Sequence, residues 1–427
     1  MQMSVKRFEI PYGHEKLHLE AAFPSWELLE SCPHGKKSEF SEAELVVRAM
    51  ESPIGSAHLE ELAAGKKTAT VILSDHTRPV PSRVILPPLL EALRKGSPDI
   101  RITLLVATGC HRGTTVEELR SKLGDEILKR EKIVIHDCDD AENMIELGRL
   151  PSGGVLKVNR LAAETDLLVA EGFIEPHFFA GFSGGRKSVL PGVCARETVM
   201  YNHCAAFIDS SFARTGNLEN NPIHQDMIAA AKMAGLRYIV NVILNKEKQV
   251  VHAVAGDAEK AHLAGCRMLM EECSVHPARK GDIVITSNGG APLDQNIYQV
   301  VKSLSTAEAA AAKGAALIVC AKCEDGTGGE AFYRAMKDCS SPEELLEQIR
   351  KTPPDRTVPD QWQYQILCRI LQKFRVIFVT RPQLEGTIRD MKMEYCSSLE
   401  EAAFMAMDGN TQKHVVVIPD GVSAMIG

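Results

Sequence analysis

A histidine, a lysine in a glycine-rich turn and a second histidine fall close together in one stretch of the chain. It reads Glu175-Pro-His177-Phe-Phe-Ala-Gly181-Phe-Ser-Gly-Gly-Arg186-Lys187-Ser188 and ends, further on, at Tyr201-Asn-His203. Core packing requires none of these together. Two polar clusters precede it, Asp75-His-Thr-Arg78-Pro79 and Thr108-Gly-Cys-His111-Arg112-Gly113. Histidine takes or gives a proton near neutral pH, so His111 and His177 are candidate acid–base groups. A lone histidine near a strand end is more often a hydrogen-bonded structural group than a catalyst. Two of them facing each other across a substrate suit a reaction needing proton transfer from either side, as racemisation does. Arg78 can clamp a carboxylate or phosphate. The plainer reading is a local ion pair with Asp75, which is worth little if exposed.

Each cluster follows a short apolar run, at residues 69–73, 102–106 and 167–170. Helix-like segments alternate with these runs, which predicts βα units and a mostly parallel sheet. In open α/β sheets ligands bind beyond the carboxyl ends of strands. If the three strands are parallel neighbours, Asp75, Arg78, His111 and His177 converge on one crevice. Residues 238–255 read as a hairpin and 258–273 as a helix. A new βα unit opens at residue 281, followed by a helix carrying Tyr298, Gln299 and Lys302 on neighbouring faces. Further strands are expected at 316–320, 375–380 and 414–419, and the alanine run 309–312 reads as a helix former. The fold class is therefore α/β, with two α/β domains, mostly parallel sheets and an active-site cleft between them. Residues 1–275 are expected to form the amino-terminal domain, with 408–427 able to return to complete it. Residues 276–407 then form a carboxyl-terminal domain that closes over the site by a hinge.

At 427 residues the chain is too long for one ordinary core. A net charge of −7 and the lack of a basic run with interleaved aromatics argue against nucleic acid as a partner. The amino terminus lacks an apolar signal core and no run approaches transmembrane length, so a cytoplasmic protein without a membrane partner is expected. Twelve cysteines are too dilute for a disulfide scaffold. Cys320-Ala-Lys-Cys323 has redox spacing, but it closes an apolar run and reads better as two incidental thiols. The glycine-rich turn is not a P-loop, because Arg186 stands where that motif needs glycine. It can still offer backbone amides to some other phosphate. His203 has no partner histidine one helical turn away, so as a metal ligand it requires a cofactor to supply the other donors. No Gly-x-Gly-x-x-Gly follows an early strand, which disfavours a nicotinamide-dependent dehydrogenase.

The three clusters, together with Asn288-Gly-Gly-Ala-Pro-Leu-Asp-Gln-Asn-Ile-Tyr298-Gln299-Val-Val-Lys302 and Pro359-Asp-Gln-Trp362, resemble the nickel-dependent lactate racemase family. The resemblance spans nearly the whole chain with the motifs in order. It implies a nickel pincer nucleotide (pyridinium-3,5-bisthiocarboxylic acid mononucleotide nickel) joined through a thioamide arm to Lys187, with His203 as the protein ligand to nickel. It implies that His111 or His177, depending on the enantiomer, removes the hydroxyl proton of a 2-hydroxy acid. The Cα hydride passes to the cofactor and returns to the other face. Asp75, Arg78, Tyr298, Gln299 and Lys302 match positions lining the cofactor and substrate, and Trp362 one that helps close the site. Phe178 and Phe179 are candidates for substrate selection. Lactate is the default substrate, with malate, a longer or aromatic 2-hydroxy acid, or a sugar acid as alternatives. A carboxylate- or nucleotide-binding protein without turnover is the alternative from another class. The implied partners are a small 2-hydroxy acid and the proteins that make the cofactor.

Overall fold

The computed structural model describes residues 6–21, 23–31 and 39–427. They divide into two units, one holding the polar clusters and the other most of the chain after residue 272.

In the first unit the strands are β1 (Thr68–Ser74), β2 (Arg101–Ala107), β3 (Lys132–Ile135), β4 (Leu167–Phe173), β5 (Leu236–Leu244) and β6 (Val250–Gly256). Every residue of β4 is buried, as are the five central residues of β1. Aliphatic and β-branched runs of that kind form parallel strands covered on both faces. The sheet order is β6-β5-β4-β1-β2-β3. All pairs are parallel except the β5–β6 hairpin. This is a doubly wound order whose direction reverses between β1 and β4, the place where such sheets bind ligands. Helix α1 (Ser82–Gly96) packs Ile85, Leu86 and Leu89 against Val71, Leu104 and Val169. Helix α2 (Val116–Leu123) starts on a capping box of Thr115 and Glu118. Helices α3 (Arg196–Asn202) and α4 (Pro222–Met233) complete the parts that position the clusters.

The second unit has β7 (Gly281–Ser287), β8 (Ala311–Cys320), β9 (Arg375–Val379), β10 (Glu394–Cys396) and β11 (His414–Ile418). Its sheet runs β10-β9-β8-β7-β11 and ends on the strand Ser25–Leu28, all parallel. The expectation of two α/β domains with mostly parallel sheets is met.

The expected boundaries need correction at three points. The hairpin and strand preceding residue 32 belong to the second unit, as does the segment Cys204–Ser211. The last strand does not return to the first domain, because β11 pairs with β7 on one side and Ser25–Leu28 on the other. All five residues of β11 are buried, so only a central place in a covered sheet accommodates it. The alanine run is also divided: helix α5 (Ile297–Ala310) stops and β8 starts at Ala311, which pairs with Gly281. Sheet pairing there overrides helix propensity. No helix among the described residues is long and apolar enough to cross a membrane.

Candidate active site

Beyond β1 the chain turns at Asp75, which is buried and accepts three hydrogen bonds. His111 Nδ1 donates at 2.7 Å, Thr77 Oγ1 at 2.7 Å and Thr77 N at 3.1 Å. Burial pushes the Asp75 carboxyl up, but His111, Thr77 and the charge of Arg78 outweigh it and hold it below the usual carboxylate range. A carboxylate only accepts, so Nδ1 of His111 carries the hydrogen and the neutral ring has its lone pair on Nε2. The His111 side chain is 48% exposed, so that nitrogen is within reach of a substrate. Asp75 thus serves His111, and the local ion pair with Arg78 does not form. Arg78 is exposed and its side chain pairs with no carboxylate among the described residues.

The loop bearing Arg78 is held from beneath. Lys122 Nζ donates to Arg78 O at 3.1 Å, and Ser82 Oγ donates to the fully buried Glu171 of β4 at 2.7 Å. Burial raises the Glu171 carboxyl against the opposing charge of Lys122.

Beyond β4 lies the glycine-rich turn. Gly181, Gly184 and Gly185 have φ of +77°, +77° and +51°. A Cβ on Gly184 would lie 2.8 Å from both Asn241 Oδ1 and Phe173 O, and one on Gly185 2.7 Å from the His262 ring. These glycines are needed for close packing in a left-handed conformation. Ser183 N donates to Glu175 O, Gly185 N to Asn241 Oδ1 and Lys187 N to Gly184 O. Three amides of the turn are thus committed inside the protein, which makes it a bracket for Lys187.

Phe179 gathers the remaining groups. Its buried ring has the His177 ring edge-on at 4.5 Å, the His203 ring edge-on at 5.2 Å and Lys187 Nζ at 5.8 Å. Phe178 stacks on the His177 ring at 5.2 Å and meets Phe179 edge-on at 4.7 Å. Ala180 N donates to His177 Nδ1 at 3.3 Å, which leaves the hydrogen of the neutral ring on Nε2. His111 and His177 therefore rest in opposite tautomers, one with a basic Nε2 and one with an Nε2–H.

His203 stands at the carboxyl end of α3, 5% exposed, and its Nδ1 donates to Val199 O at 2.9 Å. Burial first, then the charge of Lys187, push it down to about 3, against the Val199 hydrogen bond. A neutral imidazole whose Nδ1 is fixed by a carbonyl is the form that ligates a metal through Nε2. Among the described residues the cluster Asp137, Cys138 and Asp139 is the group of close protein ligands, and His203 is outside it. The donor chemistry fits a metal whose other ligands come from a cofactor, with the Lys187 amine around the same ring.

In the second unit, Tyr298, Gln299 and Lys302 occupy the first turns of α5, capped by Asn296 Oδ1 accepting from Gln299 N at 3.1 Å. The Tyr298 carbonyl accepts from Gln363 of helix α6 (Gln361–Leu371), which carries Trp362, and the Tyr298 ring meets Phe332 edge-on at 5.5 Å. Burial raises Asp360, opposed by a hydrogen bond with Tyr298. Sequence reasoning missed Thr77, Asn241 and the gathering role of Phe179. Only the last had a signal, as an aromatic inside the central motif.

A doubly wound α/β unit with two histidines in complementary tautomers beyond its strand ends, followed in the chain by a second parallel α/β unit, is an α/β enzyme architecture of the kind that binds ligands at strand ends. The family model described as the lactate racemase N-terminal domain matches residues 12–216, and that described as the lactate racemase C-terminal domain matches 276–426. The chain is 49% identical to the lactate racemase of Thermoanaerobacterium thermosaccharolyticum, covering 98% of both chains. It is 50% identical to the lactate racemase of Lactiplantibacillus plantarum, covering 91% of this chain and 92% of that one. The solved lactate racemase apoprotein of T. thermosaccharolyticum superposes with a TM-score of 0.95 at 48% identity, over 99% of this chain and 100% of that one. A Thermotoga maritima structure, 19% identical with a TM-score of 0.67 over 93% of this chain and 100% of that one, shares the fold alone. The chain belongs to the lactate racemase family.

Proposed function

We propose that this protein is a lactate racemase, an isomerase interconverting D- and L-lactate, and that it works with a nickel pincer nucleotide attached to Lys187. Near-half identity to two lactate racemases across almost the whole chain supports the activity. The observation carrying the mechanism is the pair of histidines in opposite resting tautomers. His111 Nε2 takes the hydroxyl proton of one enantiomer while Asp75 holds the imidazolium that forms. His177 meets the hydroxyl of the other enantiomer; its resting Nε2–H donates a hydrogen bond to the 2-oxo acid oxygen, and the proton that His111 has taken is the one returned to that oxygen. Arg78, an exposed cation on a loop braced by Lys122, binds the lactate carboxylate.

His203 would hold the nickel through Nε2 and Lys187 would carry the covalent arm. When bound, the group supplies a reversible acceptor for the Cα hydride. Tyr298, Gln299 and Lys302 bind the cofactor or orient the substrate, and Trp362 helps exclude water. Cofactor-making proteins are the partners this requires. Twelve cysteines in 427 residues are too dilute for a disulfide scaffold, which supports a cytoplasmic setting.

The test is to give cofactor-loaded protein one pure lactate enantiomer without added nicotinamide. Optical rotation should decay to zero, and intact mass should show an adduct on Lys187. Loaded protein that leaves lactate and a panel of other 2-hydroxy acids unchanged would overturn the reading.

A further inference from the structure

Among the described residues Arg186 is the largest side chain that the fold encloses completely. None of the groups among them that it hydrogen-bonds is an acid. Nη2 donates to Ala180 O at 2.7 Å, Nη1 to Gly184 O at 3.3 Å and Ser183 O at 3.4 Å, and Nε to His224 Nδ1 at 3.1 Å. Nη1 also lies 3.0 Å from His262 Nε2. Burial lowers the guanidinium to about 10. Burial, then the Arg186 charge, push His224 to about 3 and His262 well below its ordinary value, so both rings are neutral.

A buried cation without a counter-charge is among the costlier features a fold can carry. A turn that needed only filling would take an aliphatic residue there. What the guanidinium adds is geometry, since its rigid fork reaches several acceptors at once where an ammonium is a single point. Here the acceptors are the two ends of one turn. Ala180 follows Phe179, and Gly184 directly precedes the turn Gly185–Ser188 that holds Lys187.

We propose that Arg186 is a positioning residue for the cofactor tether, fixing Lys187 relative to the Phe179 ring and so to His203. This rests on Lys187 being the attachment point. The approach of an amine to its acyl partner is sensitive to displacements of about 1 Å, so loosening the bracket lowers attachment without removing the lysine.

The experiment produces wild type, Lys187→Ala, Arg186→Lys and His224→Ala alongside the cofactor-making proteins. Intact mass and melting temperature are read on the monodisperse fraction. Wild type should carry the adduct and Lys187→Ala none. Folded Arg186→Lys should lose roughly tenfold in occupancy, since charge is kept but the fork is lost. His224→Ala removes one hold on the fork and should lose roughly two- to threefold, with little change in melting temperature. A wild type without adduct on Lys187 overturns the attachment reading and this inference with it. Adduct on wild type and undiminished occupancy in both variants overturns only the role of Arg186. If Arg186→Lys yields no folded protein, His224→Ala decides, and full occupancy there counts against the proposal.

Discussion

The two sheets share a parallel architecture and each reverses its winding once, yet their switch points differ in chemistry. In the first, between β1 and β4, the strand exits carry Asp75 with its bonded His111 on one side and His177 on the other. In the second, between β7 and β11, polar groups are turned back on the neighbouring strand exit. Thr286 Oγ1 donates to Ile418 O at 2.9 Å, Ser287 Oγ to Pro419 O at 2.6 Å, and Gly421 N to Ser287 O at 3.0 Å. Asn288 forms a bridge with Asp420. One crevice is stitched shut with its own hydrogen bonds, while the other presents groups whose protons can move. Topology offers both places, and residue type sets them apart: only the first is equipped for the proposed proton transfer.

The strongest challenge to this contrast is at Lys187. Lys187→Ala should abolish the mass adduct and reduce racemisation by about 10⁴-fold or more, read by polarimetry. Next, His203→Ala should purify with little nickel by elemental analysis and lose roughly 10³-fold in rate. Asp75→Asn should cost about 10²–10⁴-fold in kcat with a small change in melting temperature, because an amide no longer fixes the His111 tautomer. The corresponding change in the second sheet, Ser287→Ala, should cost about 1 kcal/mol of stability and less than roughly threefold in kcat. If Ser287→Ala cost more activity than Asp75→Asn, the contrast between the switch points would fail.

A smaller effect concerns pH. His203 and His224 are held at about 3 in the folded chain, below the ordinary value of 6.5. The unfolded chain therefore takes up these protons first as pH falls. Stability is fully present above about 6.5 and should decline towards pH ~3, on the order of 1 kcal/mol per pH unit for each histidine. Thermal melts of the apoprotein across that range check it. A flat melting temperature would mean that these rings are not buried neutral.

The strand runs ending at Asp75, His111 and His177 were legible because burial on both faces writes a continuous apolar run into the sequence. The hairpin of β5 and β6 was legible for the same local reason. What escaped was non-local. Nothing in Ser25–Leu28 or in β11 says which sheet takes them, since that depends on partners hundreds of positions away. The histidine tautomers were equally invisible, being set by Asp75 and by the Ala180 amide rather than by residue type. The packing around Lys187 was not legible either, because glycines that admit Asn241 and His262 look like glycines that admit a phosphate. Arg186, which broke the P-loop pattern, was the residue that marked the difference.

The pairing of Ser25–Leu28 with β11 also sets a timetable for synthesis. Ser25 Oγ lies 2.8 Å from His414 Nδ1, across 389 positions of chain. A ribosome has made every strand of the histidine-bearing unit by residue 272, so that unit can fold while translation continues. The early strand has to wait for nearly the last residues before its neighbour β11 exists, and closing so long a loop is slow. The histidine-bearing domain is thus ready well before its companion, and the nascent chain carries the strand Ser25–Leu28 without its neighbour for most of that time.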